Sequence, residues 1–148
     1  MNKLRGFTLI ELLVVIVIIG ILASILMANY VGVRERGRDA QRKADLRQLQ
    51  TAFELYRSAD PSGNYPPSPL SCGDPLQDSG GTITYMETTP CDPSTNFRYT
   101  YILYASNKSY KLIACLENAN DQQNDVNQGK ANANPPCNGK YSYTLTNP

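Results

Sequence analysis

The chain has 148 residues, 41% of them hydrophobic and 18% charged, with no histidine and a formal net charge of +1. That length suits one modest domain plus an accessory segment and argues against a multidomain enzyme. The near-neutral balance gives no global field of the kind that gathers nucleic acid. A mean hydropathy of -0.38 hides two solvents, because apolar residues fill Phe7 to Ala28 while the remainder is rich in Asn, Ser, Pro and Tyr.

The chain opens with the short polar stretch Met1-Asn2-Lys3-Leu4-Arg5-Gly6, followed by Phe7-Thr8-Leu9-Ile10-Glu11. Residues 12–28 carry no charge, and between Phe7 and Tyr30 only Glu11 is charged. About 20 apolar residues at roughly 1.5 Å each cross a hydrocarbon core of about 30 Å. The run is apolar on every face, whereas a soluble core helix carries one stripe. A secretory signal would be cut after such a run, where Ala23 and Ser24 make a poor site.

The Gly6–Phe7 junction, Glu11 and the aliphatic run, in that order, resemble the class III leader and N-terminal methylation motif of type IV pilins and type II secretion major pseudopilins. The resemblance implies an α+β, pilin-like fold: a long N-terminal helix, half membrane and half amphipathic, packed on a small antiparallel sheet. It implies prepilin peptidase cleavage between Gly6 and Phe7 and N-methylation of the new Phe7 amine; enzymatic activity is not expected, because the sequence has no histidine for acid-base work, no Gly-rich phosphate loop and no nucleophile motif. It also implies a homo-oligomeric helical filament, with an assembly ATPase, an inner-membrane platform protein and minor pilins as further partners. A bacterial inner-membrane subunit is expected, single-pass, with a cytoplasmic N-terminus and an exported head that also enters an extracellular or periplasmic filament. Pilus, competence pilus and secretion pseudopilus all remain open.

A lone carboxylate in a membrane helix costs about 2.5–3.5 kcal/mol on insertion scales, so Glu11 needs a partner. By resemblance that partner is the Phe7 amine of a neighbouring subunit, which sets axial register. Lys3 and Arg5 precede the span, while Arg34, Arg36, Arg38, Arg42, Lys43 and Arg47 follow it. The positive-inside rule alone would keep the C-terminal part cytoplasmic, but the leader and the distal cysteines argue for export. Gly20 is tolerated in a membrane helix. Ala28 and Asn29 stand where many pilins have a proline, so no proline kink is expected.

No proline interrupts residues 7–60, and Leu46, Leu49, Phe53 and Tyr56 recur at helical spacing, predicting one helix from about Phe7 to Ser58. With Ala52 they form a stripe that needs a sheet to cover it. Arg34, Glu35, Arg36, Arg38, Asp39, Arg42, Lys43, Asp45 and Arg47 are read as the opposite face, solvated or paired between subunits. Acidic residues interleave and no aromatics accompany them, so nucleic acid is not an expected partner. The breaker-rich run Asp60 to Pro69 ends the helix. The expected organisation is leader 1–6, membrane and filament-core helix 7–30, amphipathic helix 31–60 and exported head 61–148.

In the head, Ile83–Met86 is a short extended candidate, and Thr89-Pro90-Cys91-Asp92-Pro93 is turn-like and similar to the segment before the sheet in major pseudopilins. Residues 99–104 and 110–115 read as a hairpin, with residues 141–145 as a third strand. Tyr99, Tyr101, Leu103, Tyr110, Leu112 and Ala114 are expected to cover the helix stripe. The four cysteines allow three pairings. Cys72–Cys91 and Cys115–Cys137 are preferred because sequential pairs close short loops, and the sequence leaves connectivity open. Between the last two cysteines lies a loop dense in oxygen ligands. It reads either as a hydrated loop closed by a disulfide or, as in several major pseudopilins, as a structural calcium site with Glu117, Asp121 and Asp125 as ligand candidates. The competing functional readings are a membrane-anchored binding module that never polymerises and a competence pilin that binds DNA.

Overall fold

The computed structural model of the chain describes residues 7–68, 70–104, 106–133 and 136–148. One helix, α1 (Leu9–Ala59), precedes five short strands: β1 (Leu76–Gln77), β2 (Thr84–Met86), β3 (Thr100–Leu103), β4 (Tyr110–Leu116) and β5 (Tyr141–Thr146). The arrangement is α+β and consistent with a pilin-like fold. The chain divides into two compact units, with the break between Arg34 and Glu35.

The first unit contains the apolar part of α1. Thr8 and Glu11 form a capping box that satisfies helix-start donors: Thr8 Oγ1 accepts from the Glu11 amide at 3.3 Å, and Glu11 Oε2 accepts from the Thr8 amide at 2.9 Å. Leu9–Met27, with a mean hydropathy of 3.1, has none of its side chains buried within the chain and is long and apolar enough to cross a membrane.

The second unit, Glu35–Pro148, has its own core. Leu46, Leu49, Ala52 and Phe53 of α1 pack against Tyr99, Tyr101, Tyr110, Leu112, Ala114, Leu116 and Tyr143. Phe53 lies 4.8 Å from the Tyr101 ring and 5.2 Å, edge-on, from the Tyr110 ring, a geometry that suits aromatic quadrupoles. Strands β3, β4 and β5 form an antiparallel sheet in that order, with Tyr101 opposite Leu112 and Leu112 opposite Leu145. The helix stops where Asp60 turns its carboxylate onto the Ser62 and Asn64 amides and Gly63 adopts a φ of 61°. Strands β1 and β2 form a separate small hairpin whose Leu76, Tyr85 and Met86 join the core.

The helix and the three-stranded sheet follow the hydrophobic periodicity. Strand β1 does not, because two residues carry no period. One expectation is corrected. Asp39, Arg42 and Asp45, read from sequence as part of a solvated or intersubunit face, are buried inside the head at 0%, 1% and 8% exposure.

Candidate functional site

Two regions concentrate chemistry, one at the start of α1 and one where α1 meets the loops around the sheet. At the first, the side chains of Phe7, Leu9 and Ile10 are exposed, and Glu11 holds its own chain's Thr8 through the amide and, at 2.7 Å, the hydroxyl. The Thr8-x-x-Glu11 spacing is a capping-box signature legible in the sequence, and it gives Glu11 a local partner that the membrane-cost argument alone does not supply. Gly6, on the amino side of the expected cleavage point, lies outside the described residues.

The second region is an ion-pair cluster around Arg42. Its guanidinium donates to Asp39 Oδ1 at 2.7 Å, to Asp92 Oδ2 at 2.6 Å and to Ser94 Oγ, and pairs with Glu117 Oε1 at 2.7 Å. Asp39 also accepts the amides of Glu117 and Asn118, at 3.0 and 2.8 Å, where β4 ends. Arg38 adds a two-pronged contact to Glu117. One turn of α1 is thereby tied to the loop before β3 and to the loop after β4. Every buried charge has hydrogen-bonded partners, the condition under which such charges are tolerated in an interior.

The electrostatic consequences follow from these contacts. The Arg38 hydrogen bond, opposed by burial and helped by Arg42 and Ser94, pulls the Glu117 carboxyl down to about 2. Burial by itself would raise Asp92, but Arg42 and the amides of Ser94 and Thr95 together hold it well below the usual carboxylate range. Asp45 behaves in the opposite way: burial raises it, and the Tyr99 hydroxyl donating at 2.6 Å only partly offsets that. The sequence held one signal for this cluster. Asp39 and Arg42 continue the spacing of Leu46, Leu49, Phe53 and Tyr56 backwards along the same stripe, so they fall on the buried side.

Cys72 is bonded to Cys91 and Cys115 to Cys137, with Cα atoms 5.2 and 5.3 Å apart, within the range a disulfide spans. The first ties the segment before β1 to the Asp92 turn. The second ties β4 to the segment before β5.

The calcium candidates are not brought together. Glu117 faces Arg38 and Arg42, Asp121 accepts Lys43 Nζ at 2.7 Å, and Asp125 accepts the Ser142 and Thr144 hydroxyls at 2.5 and 2.7 Å and the Thr144 amide at 3.2 Å. Calcium needs six to eight oxygens converging on one point; these carboxylates instead face hydrogen-bond donors in three separate places. Among the described residues no group of three or more His, Cys, Asp or Glu is arranged to hold a metal ion. The donor sets therefore do not fit calcium.

Comparison with known proteins bears on the first region. Residues 1–27 match the prokaryotic N-terminal methylation motif. The chain is 43% identical over 56 residues to type II secretion system core protein G of Escherichia coli (strain K12), covering 38% of this chain and 39% of that protein. A longer match, 32% identical over 92 residues, relates it to core protein G of Dickeya chrysanthemi, with 62% of this chain and 54% of that one covered. Type IV major pilin protein PilA of Myxococcus xanthus is 48% identical over 54 residues, 36% of this chain and 24% of that one. The chain thus matches between about a quarter and about a half of these relatives' lengths. No solved structure matches it. The chain carries the prokaryotic N-terminal methylation motif and is a relative of the type II secretion core protein G and type IV pilin proteins that it resembles in sequence.

Proposed function

We propose that the chain is a structural subunit, a pilin or pseudopilin, that polymerises through its N-terminal helix into a type IV pilus-like or type II secretion pseudopilus filament. The observation that carries this reading is the coincidence of the methylation motif, residues 1–27, with an apolar helix whose side chains none of the described residues bury. A helix apolar on all sides is stable only in lipid or among other apolar helices. A membrane reservoir and a filament core are those two environments.

In this reading a prepilin peptidase cuts between Gly6 and Phe7, the Phe7 amine is methylated, and the head is exported while the N-terminus starts on the cytoplasmic side. Glu11 then exchanges its Thr8 contacts for the Phe7 amine of a neighbouring subunit, so that each added copy is registered by one charge pair. An assembly ATPase, an inner-membrane platform protein and minor pilins are the machinery this requires. Calcium has no part in the proposal, because the carboxylates that would bind it are engaged elsewhere. DNA binding is not favoured either, since Arg38, Arg42 and Lys43 of the basic stretch are paired with Glu117, Asp92 and Asp121.

Intact-mass analysis of the protein from its native membrane tests the processing step, with an N-terminal methyl-Phe7 expected. An uncut Met1 would instead indicate an anchored binding module. Glu11→Ala is expected to insert in the membrane and fail to enter filaments; filaments at wild-type yield from that variant would overturn the register role.

A further inference from the structure

The head carries an acidic segment. Residues 61–97 contain four acidic residues, Asp74, Asp78, Glu87 and Asp92, and no basic one. Asp92 is held by Arg42, and Asp78 is turned into the β1–β2 connection, where it accepts the Thr82 and Ile83 amides. Asp74 and Glu87 are exposed and have no ion-pair partner among the described residues. They sit near each other at the base of the hairpin, since Leu76 pairs with Met86 and the Thr89 amide donates to the Asp74 carbonyl at 2.9 Å. The hairpin also presents Ile83 at 49% exposure.

That hairpin is braced, not loose. The Thr89 hydroxyl donates to the Ser71 and Asp74 carbonyls, the Cys72–Cys91 disulfide closes its base, and the Tyr85 ring packs 5.2 Å from Tyr56. Its exposed groups are therefore presented in a fixed arrangement, which lowers the ordering cost of docking.

One cation unpaired among the described residues, Arg98, adjoins the hairpin through its bridge to Cys91, and others lie on α1. Arg36 and Arg47 on α1 are exposed and without an ion-pair partner among the described residues. Eleven residues at about 100° each close three turns with roughly 20° left over, so the two arginines stand almost in line, about 16 Å apart. Ala40 and Ala44 lie between them and Thr51 beyond, all exposed and all small, and Leu55 continues the face at 53% exposure. The face is a shallow track of small residues beside Arg36 and Arg47, with Lys43, tied to Asp121, between them on the same line.

We propose that the acidic β1–β2 hairpin of one head docks on this arginine-flanked face of α1 in a second copy of the chain. Asp74 and Glu87 meet the guanidinium groups, and Ile83 lies against the small-residue track. Charge complementarity selects the occupant. Two helix faces of the same kind would oppose arginine with arginine and two hairpins carboxylate with carboxylate, and like-charge contacts are penalised. The two surfaces therefore attract each other and not themselves. Such a heterologous contact does not close on itself as a two-fold dimer does; repeated, it makes a ring or an open helix. This inference rests on the assembly reading above and adds to it the surfaces by which heads stack.

The test is a charge exchange in the full chain, expressed with its peptidase and assembly machinery and read as the yield of sheared filament recovered by sedimentation. The helix variant carries Arg36→Glu and Arg47→Glu, the hairpin variant Asp74→Lys and Glu87→Lys, and the exchanged variant all four. Each two-residue variant is expected to lose about tenfold in filament yield while keeping the non-reducing gel mobility of the disulfide-bonded head, and the exchanged variant to recover to within about twofold of wild type. Wild-type yield from either two-residue variant would overturn the proposal, as would an exchanged variant no better than the other two. A processed wild-type chain that forms no filaments at all would overturn the assembly reading itself, and so separates the two failures.

Discussion

Arg42 is the residue on which the head's electrostatics converge: fully buried, it faces three carboxylates from three parts of the chain. Arg42→Met preserves the volume of the stem but leaves Asp39 and Asp92 without their cation, and breaking a buried pair from one side costs about 3–5 kcal/mol. Chemical unfolding of the chain in detergent should show that loss in the midpoint. Acid acts on the same contacts. Glu117 and Asp92 have folded values below their ordinary ones of 4.5 and 3.8, so the stability they contribute is complete above those values and is lost as the pH falls toward about 2. Asp45, raised by burial, acts in the opposite sense and gains from protonation, but it is one group against two. The wild-type thermal midpoint is therefore expected to drop steeply between about pH 4.5 and 2, and Arg42→Met to show a shallower drop from a lower start. Equal acid slopes for the two proteins would refute the assignment. None of this was legible as a site from composition, because a run of alternating charges on a helix reads as a wet face; only the continuation of the apolar spacing through Asp39 and Arg42 marked it as buried.

The elements themselves were more legible. Fifty-one helical residues without proline, and three segments of Tyr with β-branched or aliphatic residues, identify α1, β3, β4 and β5 within a residue or two of where they lie. The small hairpin was half visible: β2 has a β-branched and aromatic run, whereas β1 is two residues fixed by the Asp78 turn and the core contact of Leu76. The late loop reads two ways in sequence, because Asn- and Asp-rich composition is shared by calcium loops and by loops that hydrogen-bond to themselves. Here the second applies: Asn124 and Asp125 are buried, and Asp125 draws the loop onto β5 through Ser142 and Thr144. The loop is thus closed by one disulfide of sequence separation 22 and by one buried carboxylate. Replacing Cys115 and Cys137 together by Ser should destabilise the head by about 2–5 kcal/mol, whereas a chelator should leave the thermal midpoint of the oxidised chain where it was. A midpoint that falls on chelation would place a divalent cation in the loop after all.

At the scale of the whole chain, burial is distributed unequally between the two units. Every residue of the core cluster lies between Leu46 and Tyr143, and the buried charges begin at Asp39, so the second unit contains all that its own interior needs. Among its described residues the first unit contains no buried large side chain; its stability must come from whatever surrounds it, lipid or the helices of other copies. Removing residues 1–34 is therefore expected to leave a fragment recovered from the aqueous phase without detergent. The fragment should unfold cooperatively, with a thermal midpoint within a few degrees of the head transition in the full chain, since no core contact is deleted. Under the proposed assembly it should also be unable to enter filaments, however well folded, because the apolar helix and Glu11 are gone. A fragment that is soluble but lacks a cooperative transition would mean that the core depends on the first 34 residues, and would overturn the assignment of two separately stabilised units.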